Sequence, residues 1–168
     1  MIISIFRHGE AANAPMDSER VLSAQGERDV ALAAQRFEAA CGSEDNPSLV
    51  KPEVVLYSPY VRTRQTAEIV SARFPSIVVQ ASPALTPEGH VHDVEKALED
   101  LADSECAHVV LVSHQPLVSY LSNHWIHQAE NVPSMIPGAL TVFSMATVGA
   151  LCGELLFWAS PPTYEFHK

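Results

Sequence analysis

The chain is predicted to be an α/β protein: a three-layer α/β/α sandwich around a mostly parallel sheet. Three observations carry that expectation. Short apolar runs recur at Ile2–Phe6, Val54–Tyr57, Ile77–Gln80 and His108–Ser113. The stretches between them place apolar residues at helical spacing. Several of the runs also stop abruptly at Arg, His or Ser, on the side of an open sheet where ligands bind.

In chain order, Ile2–Phe6 reads as a buried strand, and Glu10–Leu22, with Asn13, Pro15, Asp17 and Ser18, as a loop. Ser23 can cap a helix running to about Cys41, with Val30, Ala33, Ala34 and Phe37 on its inner face. Gly42–Pro52 is a second loop, and Val54–Tyr57 a short strand. Ser58-Pro59 resembles an N-cap followed by proline at the first helical position, opening a helix to about Phe74 that buries Ala67 and Val70. Ile77–Gln80 is a third strand. Val91, Val94, Leu98 and Leu101 mark a helix, and His108–Ser113 a fourth strand. Pro116 opens a last helix through about His127. Leu140–Met145 and Glu154–Trp158, around Gly149–Gly153, read as two closing strands able to form an antiparallel edge. Trp125, Trp158 and Tyr120 are expected in the core.

The 168 residues suit one domain spanning 1–168 with a substantial core. At 47% hydrophobic and 18% charged, the composition is that of an ordinary globular protein. The 20 acidic and 10 basic side chains give a net charge of −10, which argues against nucleic acid or an anionic membrane as partner. Cys41, Cys106 and Cys152 are odd in number, widely spaced and unlike a metal-ligand pattern, so they read as reduced packing residues. A strand beginning at residue 2 leaves no room for a signal peptide, and no apolar run approaches the roughly 18 residues of a membrane span. The expectation is a monomeric cytoplasmic protein.

Against that acidic background, Arg7-His8-Gly9-Glu10 stands out directly after the first strand. A guanidinium offers a planar fork of donors suited to phosphate oxygens. An imidazole is a nitrogen nucleophile that needs no deprotonation at neutral pH. Glycine permits a sharp turn and a close backbone approach to an anion. Arg62 falls in the first turn of its predicted helix, and His114 stands between the fourth strand and the helix that Pro116 opens. Taken singly, Arg62 reads as a solvated helix residue and His114 equally well as a core imidazole. Together at strand ends, Arg7, His8, Arg62 and His114 read as one anion site.

Arg7-His8-Gly9-Glu10, Ser58-Pro59-Tyr60-Val61-Arg62-Thr63-Arg64-Gln65-Thr66-Ala67 and Ser113-His114-Gln115-Pro116 together resemble the signature of the histidine phosphatase superfamily, which includes the cofactor-dependent phosphoglycerate mutases. The short length, Arg20-Val21-Leu22-Ser23 followed by Gly26, and Leu85-Thr86-Pro87 with no long insertion are most similar to its small phosphohistidine phosphatases of the SixA group. The resemblance implies a phosphoglycerate mutase-like fold. It also implies that His8 attacks phosphorus and carries a covalent phosphoryl group, which water then removes. For this the other ring nitrogen of His8 should donate to a nearby backbone carbonyl. Arg7 and Arg62 would clamp the phosphoryl oxygens and His114 would donate to them, with no metal or cofactor. The implied substrate is a phosphorylated protein, such as a histidine-phosphorelay or phosphotransfer protein.

Superfamily members acting on alcohol-leaving esters carry a carboxyl group after the third strand. Here Glu88, in Pro87-Glu88-Gly89-His90, occupies that segment without the fuller pattern, and a solvated loop residue is the plainer reading. A weak acid suits a P–N bond, whose imidazole leaving group takes a proton readily. A small-molecule phosphomonoesterase or mutase, and a non-catalytic phosphate-binding adaptor, remain alternatives. His90 with His92 and His124 with His127 read as surface pairs, and Arg64 as a solvated neighbour. Arg20 and Asn13 could reach the pocket rim from the first loop.

Overall fold

The computed structural model describes residues 1–126 and 134–167. Six strands form one mixed sheet: β1 (Ile2–Arg7), β2 (Val54–Tyr57), β3 (Val78–Ala81), β4 (His108–Ser113), β5 (Leu140–Met145) and β6 (Gly153–Ala159). Their spatial order is β3-β2-β4-β1-β5-β6. The pairings β2–β3, β2–β4 and β1–β4 are parallel, whereas β1–β5 and β5–β6 are antiparallel. The fold is therefore the expected α/β/α sandwich with an antiparallel edge.

Alternation along the central strands divides the core into two layers. Phe6, Val110 and Val112 face α1 (Ala24–Ala40) and α2 (Val61–Ser71), meeting Val30, Phe37, Ala67 and Val70. Ile3, Ile5, Val109 and Leu111 face α3 (Val91–Asp103) and α4 (Leu117–Trp125), meeting Val94, Leu98, Leu121 and Trp125. Both layers must be covered, so β1 and β4 are apolar on both faces, as parallel central strands usually are. No helix among the described residues is long and apolar enough to cross a membrane.

Register then sets the site. Arg7 of β1 pairs with Ser113 of β4, and Tyr57 of β2 pairs with Val112. The ladder continues past both strand ends through His8 N–H to Ser113 O at 3.0 Å and Ser58 N–H to Val112 O at 3.1 Å. Three neighbouring strands thus release His8, Ser58 and His114 at one level of one sheet edge.

Ser23 caps α1 as expected, its hydroxyl accepting from Gly26 N–H at 3.0 Å. The start of α2 differs from the sequence expectation. Its N-cap is Tyr60, not Ser58, and Pro59 precedes the helix. The Ser58 hydroxyl is committed instead to the His114 ring across the β2–β4 boundary. α2 ends at Ser71, three residues short of Phe74. Pro116 is the N-cap of α4 and not its first residue, and His127, the expected end of that helix, lies outside the described residues. β3 is exposed along its length because it is the sheet edge. Trp125 is fully buried, but Tyr120 is exposed on α4 and Trp158 is half-buried, stacked on His167. Cys41 and Cys106 are buried free thiols and Cys152 is partly exposed.

Candidate active site

The loop after β1 is held from beneath by two glycines. A Cβ on Gly9 would lie 2.8 Å from Gly26 O and from Val30 Cγ2, and one on Gly26 would lie 2.1 Å from Glu10 O. Close packing thus adds a second requirement for glycine at position 9, beside the expected turn and approach to an anion. The first turn of α1 packs against Gly9, whose N–H points to Thr66 Oγ1 at 3.3 Å. Thr66 Oγ1 in turn donates to Arg62 O, and Gln65 Oε1 accepts from Leu22 N–H at 2.8 Å. Residues 65–66 of α2 thereby fix the segment bearing His8 and the far end of the loop.

Arg7, His8, Arg62 and His114 all line one open pocket of about 350 Å³ at the carboxyl edge of the sheet. Arg62 is its hub, although only 4% exposed. Its Nε donates to His8 Nε2 at 3.1 Å and its Nη2 to His114 Nδ1 at 3.1 Å. The two imidazole rings lie edge to face with centroids 4.9 Å apart. Tyr60 packs against the His114 ring at 4.9 Å and sits under the Arg62 guanidinium at 5.0 Å, a cation–π contact. Arg7 Nη1 donates to Met135 O at 2.8 Å, while its buried Nε has no partner among the described residues.

A guanidinium can only donate, so these contacts fix the ring tautomers. His8 Nε2 carries the bare lone pair, and Nδ1–H donates to Gly9 O at 2.7 Å. His114 Nδ1 is likewise bare, so its Nε2–H donates to Ser58 Oγ at 2.8 Å. Burial, and then the surrounding guanidiniums, push the His8 pKa down to about 4 despite the opposing Gly9 bond. Burial, His8 and Arg62 push His114 well below the ordinary imidazole range. Both rings are therefore neutral at physiological pH.

The remaining expected residues separate clearly. Arg20 lines the pocket, its Nε donating to Ala12 O at 2.9 Å. Asn13 is exposed on the loop, away from the lining. Glu88 is exposed, and its neighbour Pro87 supplies the pocket wall. Arg64 is exposed beside Glu68. His90 and His92 are exposed at the start of α3, and His124 meets Glu95 at 3.0 Å. Sequence reasoning missed Tyr60, the role of the Ser58 hydroxyl, and Asp17, whose carboxylate reaches Arg62 at 2.9 Å. An acidic residue three positions before Arg20 was the available signal for Asp17.

An uncharged imidazole at a parallel strand end, walled by guanidiniums, is an arrangement suited to a phosphoryl group in an α/β protein. The chain belongs to the histidine phosphatase superfamily (branch 1), whose sequence profile matches residues 3–87, and it is a phosphatase of that family. It is 35% identical over 151 residues to the phosphohistidine phosphatase SixA of Escherichia coli K12, covering 88% of this chain and 84% of that protein. A SixA homolog from Haemophilus influenzae is 32% identical over 168 residues, covering 98% and 99%. The solved structure of SixA complexed with tungstate superposes with a TM-score of 0.81 at 32% identity, covering 96% of this chain and 97% of that one.

Proposed function

We propose that this phosphatase hydrolyses phosphohistidine on a partner protein, using His8 Nε2 as a transient phosphoryl carrier. One observation supports this above all: Nδ1–H of His8 is donated to Gly9 O, leaving Nε2 unprotonated, its lone pair on Arg62 Nε at the pocket. In the first step His8 Nε2 attacks phosphorus in line, a P–N bond forms, and the P–N bond to the substrate imidazole breaks. The departing nitrogen takes a proton from water or leaves as an already protonated ring. In the second step water attacks the phosphoryl group on His8, releasing inorganic phosphate and restoring the neutral ring.

Arg7 and Arg62 neutralise the equatorial oxygens, so the reaction needs no metal. His114 donates from Nδ1 once the ring carries its proton there. The Ser58 hydroxyl can donate or accept and so serves Nε2 in either tautomer. An open pocket suits a side chain presented by a macromolecule, here a histidine-phosphorelay or phosphotransfer protein in the cytoplasm. The relatives named phosphohistidine phosphatase SixA support that substrate class.

The test is a rapid-quench search by mass spectrometry for a phosphoryl adduct on His8. It is paired with turnover of phosphohistidine protein, an aryl phosphate and phosphoglycerate by one preparation. A His8 adduct with phosphohistidine the fastest substrate is expected. Turnover without an adduct would remove the covalent route, and a faster phosphoglycerate reaction would make the protein a small-molecule phosphatase.

A further inference from the structure

The pocket holds an anion that belongs to the chain itself. Asp17 opens the 3-10 turn Asp17–Glu19, within the loop that follows β1. Its Oδ2 accepts from Arg62 Nη2 at 2.9 Å, its Oδ1 accepts from Arg20 Nη1 at 3.2 Å, and its backbone carbonyl accepts from Arg62 Nη1. With Nε on His8 and Nη2 shared with His114, every nitrogen of the Arg62 guanidinium is engaged.

A carboxylate that gives one oxygen to each of two guanidiniums makes the contacts that two phosphoryl oxygens would make. The same arrangement holds Arg62 Nε against the lone pair of His8 that must attack phosphorus. A phosphoryl group cannot sit opposite His8 Nε2 until that grip is released. The loop is built to release it. Its base is fastened by the Ala11–Leu22 bridge, the bond from Ala12 N–H to Val21 O at 2.9 Å, and the bond from Leu22 N–H to Gln65. Among the described residues, the hydrogen bonds that carry 13–19 beyond the loop all end on Arg62. Asp17 itself is 56% exposed. Burial works the other way, but the bonds from Arg62 and Arg20 lower its pKa, so it is a counter-ion and not a proton donor.

We propose that Asp17 is an internal competitor that sets the affinity of the site for oxyanions. It occupies the Arg62–Arg20 pair and is displaced when a phosphoryl group enters. This rests on the reading of the pocket as a phosphoryl site. It makes the site selective for groups charged strongly enough to displace a carboxylate, and it returns the carboxylate after turnover to help expel phosphate.

Calorimetric titration with tungstate and with inorganic phosphate tests it on the full chain. The wild type is compared with Asp17→Asn, Asp17→Ala and Arg62→Ala, each checked by a thermal melt. Both Asp17 variants are expected to bind roughly three- to tenfold more tightly than wild type, in keeping with a partly exposed ion pair. Arg62→Ala should lose most of the binding. If the wild type binds and both Asp17 variants bind no better, or more weakly, Asp17 positions Arg62 for the ligand and the proposal is wrong. If the wild type fails to bind but the Asp17 variants do, competition is supported in its strongest form. If none of the four proteins binds either oxyanion, the phosphoryl reading of the pocket fails and this proposal falls with it.

Discussion

His108 and His114 stand at the two ends of β4, the first inside the strand and the second just past it. Both are buried, at 0% and 2% exposure, and burial is the main force lowering both pKa values. Each ring meets a serine hydroxyl at 2.8 Å, Ser4 in one case and Ser58 in the other. The tautomers are nevertheless opposite. His108 Nδ1 faces Val50 O at 2.6 Å, a pure acceptor, so it carries the proton and Nε2 accepts from Ser4. His114 Nδ1 faces a guanidinium, a pure donor, so it stays bare and the proton sits on Nε2. A depressed pKa at a buried histidine therefore says little about function. What separates the two ends is whether the ring's other partner is a spent backbone carbonyl or a cation facing an open pocket.

The sharpest way to break the comparison is to remove His8, the proposed nucleophile beside His114. His8→Ala should lower turnover on the order of 10⁴-fold or more, as for loss of a covalent nucleophile, and leave the fold intact. Residual activity above a tenth of wild type would mean His8 carries no phosphoryl group. Arg62→Ala and His114→Ala should each cost about 2–4 kcal/mol in kcat/KM, the range for lost charge-stabilising donors. Steady-state kinetics against a phosphohistidine protein would measure both.

The opposite end of β4 should answer in stability and not in rate. His108→Ala leaves the buried Ser4 Oγ without its partner, removes the bond to Val50 O and opens a small cavity, costing roughly 2–4 kcal/mol in denaturant unfolding. Its kcat per folded molecule should stay within about twofold of wild type. A large fall in kcat with an unchanged unfolding midpoint would erase the distinction between the two ends.

That distinction was only half legible in the sequence. The pocket end was readable because apolar strands stop at Arg7-His8 and Ser113-His114, residue types that make poor core. His108 opened a run read as wholly strand interior, so its two hydrogen bonds went unseen. Ser58 read as a helix cap because its true partner lies across a strand boundary, and nothing local reveals that β2 is adjacent to β4. Asp17 was hidden for a similar reason, since only the folding back of a long loop brings it to Arg62. Ile77–Gln80 read as a strand without a place in the sheet, and Val78 is 56% exposed because β3 takes the sheet edge. Local pattern shows where chemistry-bearing residues leave the strands, whereas contacts across strand order and loop return do not appear in it.

Acid titration sharpens the comparison further. The His108 pKa is pushed down to about 4 in the folded chain, against the ordinary imidazole value near 6.5 in the unfolded one. Between those values the unfolded chain binds a proton that folded His108 refuses. The stability His108 contributes is thus complete above about pH 6.5 and drains as pH falls toward 4, by up to about 3 kcal/mol. Unfolding free energies at pH 7 and pH 4.5, for wild type and His108→Gln, should diverge in that sense. His8, also held to about 4, should retain a neutral ring through the same interval. The acid limb of kcat/KM, corrected for substrate ionisation, should then lie nearer 4 than 6.5, and a limb at 6.5 would mean that burial and the guanidiniums leave His8 unperturbed.

The smallest effect is expected at Glu88, the carboxylate that the sequence offered as a general acid. It is exposed beyond the wall that Pro87 forms, whereas the carboxylate at the clamp, Asp17, is held ionised by two arginines. Neither of these two is placed as a ready proton donor, and the other carboxylate at the pocket, Glu10, accepts from Ser23 Oγ, an arrangement that suits a leaving group hardly in need of an acid. An imidazole leaving from a P–N bond accepts its proton from solvent near neutral pH, but an alkoxide leaving from an ester does not. Glu88→Gln should therefore change phosphohistidine hydrolysis by no more than about threefold, well short of the roughly 10²-fold typical of a general acid. An alkyl phosphate, tested on the same preparation, is the discriminating control. If the substitution slows the phosphohistidine reaction by about 100-fold, Glu88 reaches the reacting atoms in the complex, and an ester becomes the better substrate assignment.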